Sequence, residues 1–324
     1  MYRFGRTCVR NKGSALRGPR REAVSGGRGT ASSEPPRLER KTSFPEVEGI
    51  GSAIIHSHYD YLSDGFITPP FLKEPRTVGV VGAPMSWGQP RAGTDQGAKM
   101  IRDYGLEDAV LGLEWRLDDH GDLTFDEPAS NDPRPDKKVL NGRAKNSYCV
   151  GKGLKKIHDA VFEIAEKKQF ALIVGGDHSI SAGSVAAILK ARPNTGILWI
   201  DAHGDINTPL TSPSGNMHGM PIGLLMKLVD PTLIPGFEWM KDTPKLDPQQ
   251  IVYVGLRDLD TEERKVIKEL NIKAYTMQHV DRYGIGGVMK RALDHLRLPD
   301  GSLRPLHLSY DIDAVDPEHG KYIV

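Results

Sequence analysis

The chain has 324 residues, 38% hydrophobic and 26% charged, enough to bury a sizeable core in one large α/β domain or two smaller ones. A formal net charge of +1 excludes a general electrostatic pull toward nucleic acid or an anionic membrane, and no apolar stretch approaches the length that spans a bilayer. Two cysteines, Cys8 and Cys149, exclude a disulfide framework and a thiolate metal site, and suit a reducing compartment.

The N-terminal region is charge-biased. Residues 1–41 hold eleven Lys or Arg against three Glu, with no acid before Glu22 and no apolar signal region. That composition fits a mitochondrial transit peptide, or equally a disordered basic tail in a cytoplasmic protein. Residues 42–75 read as linker, and His56 and His58 within it, despite metal-like spacing, read as incidental. From 76 onward the pattern changes. Apolar runs at 77–84, 170–179, 195–205, 251–258, 272–277 and 306–316 are apolar on both faces, the mark of strands in a covered parallel sheet. Helical segments at 153–169, 181–191, 261–270 and 285–296 alternate with them. In the first, apolar residues fall at 154, 157, 161, 164 and 165, which is helix spacing. Such alternation predicts an α/β three-layer αβα sandwich with a mostly parallel sheet. Residues 120–146 are polar and Pro-rich and predict a surface loop. No second domain is legible, so 76–324 reads as one unit.

Acids and histidines gather where three of these strands end, the side of an open α/β sheet on which ligands bind. In "DAHGD", Asp201, His203 and Asp205 alternate, and on an extended backbone alternate side chains share a face and can converge on one point. Asp311 and Asp313 repeat the arrangement in "SYDIDAVDP", and His178 in "GGDHS" closes a third strand. One such Asp is ordinarily a turn or helix cap, and Asp177 or Asp205 alone would be read so. Four carboxylates and two imidazoles at one end of three strands repel one another unless a multivalent cation neutralises them. Mixed oxygen and imidazole ligands suit Mn²⁺, with Zn²⁺, Fe²⁺ or Co²⁺ as substitutes. Six ligands suit a two-ion site about 3.5–4 Å across, able to lower the pKa of a shared water from about 15.7 toward about 7. The reaction class is metal-assisted hydrolysis.

"GGDHS", "DAHGDIN" and "SYDIDAVDP" together resemble the three metal motifs of the ureohydrolases, the arginase and agmatinase family. "GAPMSWGQPRAG" (82–93), "INTPLTSPSGNMHG" (206–219) and "VGLRDLD" (254–260) resemble arginases in particular, so the likeness runs in order over residues 77–317. It implies two Mn²⁺ per subunit. Asp201 and Asp311 would bridge them, with His178 and Asp205 completing one ion and His203 and Asp313 the other. It further implies attack of a metal-held hydroxide on the guanidinium carbon of L-arginine, giving L-ornithine and urea. His218 would shuttle the proton, Asn207, Ser214 and Asn216 would hold the α-carboxylate, and the subunits would form a trimer. His307 is expected to be a buried structural histidine or to support a ligand.

Three departures from the family pattern carry expectations of their own. Gly204 stands where arginases usually carry threonine or alanine, which predicts a looser ligand loop. Leu233 occupies a position where animal arginases commonly have an aspartate near the substrate's α-amino group. Beyond Asp316-Pro317 the family continues with further helices and a last strand. That strand lies between the strands carrying His178 and Asp311, and the segment supplies a threonine and a glutamate that contact substrate. On this expectation the 76–324 domain is C-terminally incomplete. A catalytically impaired arginase-like protein that acts as a binding or regulatory partner then stands beside the active enzyme. A ureohydrolase for another guanidino substrate such as agmatine is the third reading.

Overall fold

The computed structural model describes residues 72–73, 76–140 and 143–315, all within one compact unit, Ile67–Val324. The basic leader, the two linker histidines and the residues beyond 315 lie outside the described residues. So does the linker, apart from residues 72 and 73. In chain order the elements are β1 (Thr77–Gly82), α1 (Gly97–Asp103), α2 (Leu106–Gly112), β2 (Arg116–Asp122) and the single-turn α3 (Lys137–Leu140). There follow α4 (Ser147–Glu166), β3 (Phe170–Val174), α5 (Ile180–Ala191), β4 (Gly196–Ile200) and the short α6 (Pro221–Leu225). Then come β5 (Ile251–Leu256), α7 (Thr261–Glu269), β6 (Lys273–Thr276), α8 (Met277–His295) and β7 (Leu306–Tyr310). None of the helices among the described residues is long and apolar enough to cross a membrane.

Every strand pair is parallel, as the doubly apolar runs predict. Alternate residues of β4 explain why both faces are apolar. Ile197 and Trp199 enter the large core with α4 and α5, while Leu198 enters a second core with Val288, Ala292 and Leu296 from α8 and its C-terminal end. Two apolar layers on opposite faces of one strand make the three-layer sandwich. On α4 the expected stripe of Leu154, Ile157, Val161, Ile164 and Ala165 is buried. Each of the four larger side chains contributes about 1.5–3 kcal/mol by leaving water. The helix starts six residues earlier than its apolar spacing suggests, because Ser147, Cys149, Val150 and Gly151 are buried too. Gly183 of α5 lets that helix approach α4 closely, since a Cβ there would lie 2.6 Å from the Leu154 carbonyl oxygen.

Three expectations are corrected. The single sheet is, among the described residues, two: β2-β1-β3 and β6-β5-β4-β7. β3 and β7 are therefore edges, and the apolar side chains of β7 are not covered on both faces. Leu306, Leu308 and Tyr310 are about half exposed, at 47%, 57% and 51%. Second, the region read as loop from residue 120 begins inside β2, whose sequence RLDDHGD has no apolar run. It forms because β1 supplies a parallel partner register from Thr77↔Arg116 onward, and its charges suit an edge strand. Arg102 of α1 binds Asp119 at 2.9 Å and also pairs with Asp122. Third, the same region returns to the core at Leu140 and Ala144 rather than staying on the surface.

Candidate metal centre

The parallel strands all deliver their C-terminal ends to one side, and the chemistry-bearing residues follow directly from them. His178 lies in the turn between β3 and α5, Asp201 to Asp205 follow β4, and Asp311 and Asp313 follow β7. At the end of β4 the backbone stops being extended. Asp201 N–H still bonds the Val254 carbonyl of β5, but Asp205 adopts a left-handed φ of 48°, a conformation Asp tolerates better than most residues. The alternation of Asp201, His203 and Asp205 therefore does not converge on one point. It divides between two.

The first point is His178. Its Nδ1 lies 2.9 Å from Asp201 Oδ2, 3.0 Å from Asp205 Oδ2 and 3.0 Å from Asp311 Oδ2. The second is His203, whose Nδ1 lies 3.0 Å from Asp313 Oδ2 and 3.6 Å from Asp201 Oδ1. Asp201 thus turns one carboxylate oxygen to each imidazole, and two groups of ligand atoms, His178–Asp201–Asp205 and Asp201–His203–Asp313, share it. Asp311 leans only to the first group. Its other oxygen accepts the Asp313 N–H at 3.1 Å, a cap on the turn at Ile312–Ala314. In this arrangement Asp311 faces His178 alone, while Asp201 faces both imidazoles.

The donor set fits divalent ions. His178 Nδ1 is buried and makes no hydrogen bond, although three carboxylate oxygens stand within 3.0 Å. Ligands held about 2.1 Å from an octahedral ion at right angles are about 3 Å apart, which is the spacing found here. The other ring nitrogen is already committed, since His178 Nε2 lies 2.9 Å from Ser309 Oγ, which fixes the ring's rotation. Trp199 adds to this. Its ring stacks on His178 at 4.3 Å and its Nε1–H donates to Asp201 Oδ2 at 3.0 Å.

Without ions the charges settle as the geometry dictates. Hydrogen bonds to Asp201 and Asp313, against opposition from burial, hold the His203 imidazole up at about 11. The His178 side chain is nearly buried. Burial alone would lower its pKa, but the Asp201, Asp205 and Asp311 carboxylates beside it hold it well above the ordinary histidine range. Asp205 is pushed well above the carboxylate range by burial and then by the neighbouring Asp201 charge. Burial also opposes ionisation of Asp201, but His178 and His203 keep it below the ordinary carboxylate value.

Around this centre stand the other residues the sequence singled out. His218 follows Asn216 in a short 3-10 turn, half-buried, near enough for the charges of Asp177 and Asp311 to act on its ring. Burial lowers its pKa and those two acids pull against it. Asn207 is buried with both amide ends engaged, Nδ2 donating to Asp260 Oδ2 at 2.7 Å and Oδ1 accepting from Thr211 Oγ1 at 2.8 Å. Ser214 and Asn216 form a more exposed lip, joined by the Asn216 N–H to Ser214 Oγ at 3.1 Å. Leu233 is exposed in a separate turn. His307 takes part in neither ligand group. The Gly204 carbonyl accepts a hydrogen bond from the buried Tyr253 hydroxyl at 2.6 Å.

Sequence reasoning missed Asp260 and Lys145. Asp260 reads as the cap of α7, which it is, yet the same carboxylate reaches Asn207. Lys145 donates from Nζ to Asn216 Oδ1 at 3.2 Å, bringing a cation to the lip from a segment that looked like plain loop.

These observations agree with known proteins. The model of the Arginase family matches residues 76–320. The chain is 45% identical over 253 residues to an arginase of Glaciozyma antarctica (strain PI12), covering 77% of this chain and 71% of that one. It is 40% identical over 244 residues to Arginase-1 of Homo sapiens, covering 75% and 72%. The solved arginase of Bacillus caldovelox superposes with a TM-score of 0.67 at 34% identity, over 75% of this chain and 78% of that one. A two-centred acidic and histidine cluster on the C-terminal side of a parallel sheet, with matching sequence along the whole described domain, places the chain in the arginase family of hydrolases.

Proposed function

We propose that the chain hydrolyses the guanidinium group of L-arginine to L-ornithine and urea, with two manganese ions held by His178, Asp201, His203, Asp205, Asp311 and Asp313. The observation that carries this reading is the enclosed His178 Nδ1, aimed without a hydrogen bond at three carboxylate oxygens about 3 Å away. Bound there, two such ions supply a water that ionises near neutral pH and a positive field for the developing charge. Net addition of water to the guanidinium carbon and cleavage of its bond to the substrate's δ-nitrogen give urea and ornithine. His218, kept below the ordinary histidine range chiefly by burial, is neutral at pH 7 and free to take up a proton. It passes that proton toward the leaving amine. Ser214, Asn216 and the Lys145 ammonium set a polar, cationic lip suited to an α-carboxylate, which arginine has and agmatine lacks. Asn207, on the same stretch of chain, is held in place by Asp260 and Thr211.

A second reading, a family member that holds ions but acts as a binding or regulatory partner, has one observation in its favour. The apolar side chains of β7 are uncovered among the described residues. Measuring urea and ornithine from the manganese-loaded full chain, with arginine and agmatine side by side, decides between them. Turnover of arginine well above agmatine supports the first reading. Ion binding with no urea above the metal blank leaves only the second, and equal turnover removes the arginine assignment. A trimeric assembly is checked by sedimentation. Delivery to mitochondria by residues 1–41, argued from their eleven basic residues, is checked by an import and cleavage assay.

A further inference from the structure

Asp177 presents a puzzle that the metal centre does not solve. It is a carboxylate at 4% exposure, next to a proposed ligand, yet it belongs to neither ligand group. Its partners are backbone. Oδ2 accepts the Gly88 N–H at 2.8 Å, Oδ1 accepts the Ser179 N–H at 3.0 Å, and its own N–H donates to the Met85 carbonyl at 2.7 Å. Gly88 itself continues the connection. Its carbonyl accepts the His218 N–H at 3.0 Å. The contact is tight enough to require glycine, because a Cβ on Gly88 would lie 2.4 Å from Asp177 Oδ1 and 2.8 Å from Ser179 Oγ. On its other side the same loop is tied by Asn146 Nδ2, which donates to the Trp87 carbonyl at 3.0 Å.

We infer that Asp177 is a positioning residue for His218. By clamping the N–H of Gly88 it fixes the residue whose carbonyl, one peptide further on, holds the His218 backbone, and so sets where that imidazole stands beside the ligand cluster. A carboxylate suits the task because it accepts from two backbone donors at once, where a neutral amide offers a single acceptor and turns two donors toward N–H groups. The inference rests on the reading of His218 as the proton shuttle, and the loop 86–90 then joins the catalytic apparatus although none of its side chains is a ligand.

The test uses the full chain, with manganese, as Asp177→Asn, Gly88→Ala, His218→Ala and the double variant Asp177→Asn/His218→Ala. Amide hydrogen exchange is read by mass over residues 86–90 and 216–220, beside bound manganese and the kinetics of arginine hydrolysis. Asp177→Asn is expected to speed exchange in both segments together, with ion content unchanged. Gly88→Ala, which attacks the same contact from the opposite side, gives the same paired pattern and serves alone if Asp177→Asn does not fold. Asp177→Asn lowers kcat tenfold or more with KM within about twofold, and on the His218→Ala background that loss shrinks below about twofold. Faster exchange at 86–90 alone overturns the inference. So does a loss of bound manganese that accounts for the fall in rate, or an equal loss on both backgrounds. If His218→Ala leaves turnover intact, the shuttle reading fails instead, and the paired exchange still decides whether Asp177 positions the segment.

Discussion

Filling the centre with ions should expel protons, and the number can be worked out from the geometry. In the ion-free chain His203 is held up at about 11 by Asp201 and Asp313, and His178 well above the histidine range by three carboxylates. Both rings are therefore charged at pH 7.5, where a free histidine would be mostly neutral. Their two positive charges still leave four carboxylates two charges short of neutrality, whereas two divalent ions with neutral imidazoles balance them. An ion accepts only the lone pair of a neutral ring, so occupancy of both groups releases at least two protons. Burial and the Asp201 charge push Asp205 well above the carboxylate range, so any proton it still carries adds up to a third. Each displaced proton makes binding tenfold weaker per unit fall in pH. The combined two-ion constant should therefore drop about 100- to 1000-fold per unit, or about 2.7–4 kcal/mol. Calorimetric titration with manganese at one pH, in buffers of different ionisation enthalpy, counts the protons directly. Two ions bound with less than about half a proton released would refute the charge assignment. Failure to bind ions at all would refute the centre.

Three further outcomes follow from the same structure. In chelator-treated protein, His203 has a folded pKa raised above its unfolded value. Its contribution to stability is complete below about pH 6.5 and fades as pH rises toward 11, so the melting temperature falls over that window and a rise would contradict the ion pairs. Trp199→Phe keeps the ring against His178 but removes the donor to Asp201 Oδ2. Manganese should bind about 10- to 100-fold more weakly, as read by equilibrium dialysis, and unchanged affinity would show that this bond does not orient the carboxylate. Leu154→Ala, at the start of the α4 stripe and fully buried, should cost about 2–5 kcal/mol in urea denaturation with ion binding preserved, and a smaller loss would mean that α4 and α5 repack.

The strands that carry the centre, and the acids and histidines at their ends, were legible because both signals are local. A doubly apolar run needs only a few consecutive residues to announce a covered parallel strand, and Asp or His at its end needs only its position. β4 shows this best, with Ile197, Leu198 and Trp199 filling opposite cores just before Asp201. β2 was not legible, because a polar stretch becomes a strand only when β1 offers it a hydrogen-bonding edge and Arg102 neutralises its acids. The same limit applied to single residues. Asp260 looked like a helix cap and Lys145 like loop, since their second partners, Asn207 and Asn216, are 53 and 71 positions away.

By itself, then, the sequence determined which side chains stand at the strand ends and therefore what kind of ion they suit. Tertiary structure decided how they are shared. Asp201 serves two imidazoles, Asp205 reaches His178 through a left-handed turn, and Ser309 fixes a ring 131 residues away. The physical reason is that ligand identity is covalent, whereas a coordination group exists only where packing brings ligand atoms from separate strands within about 3 Å of one another.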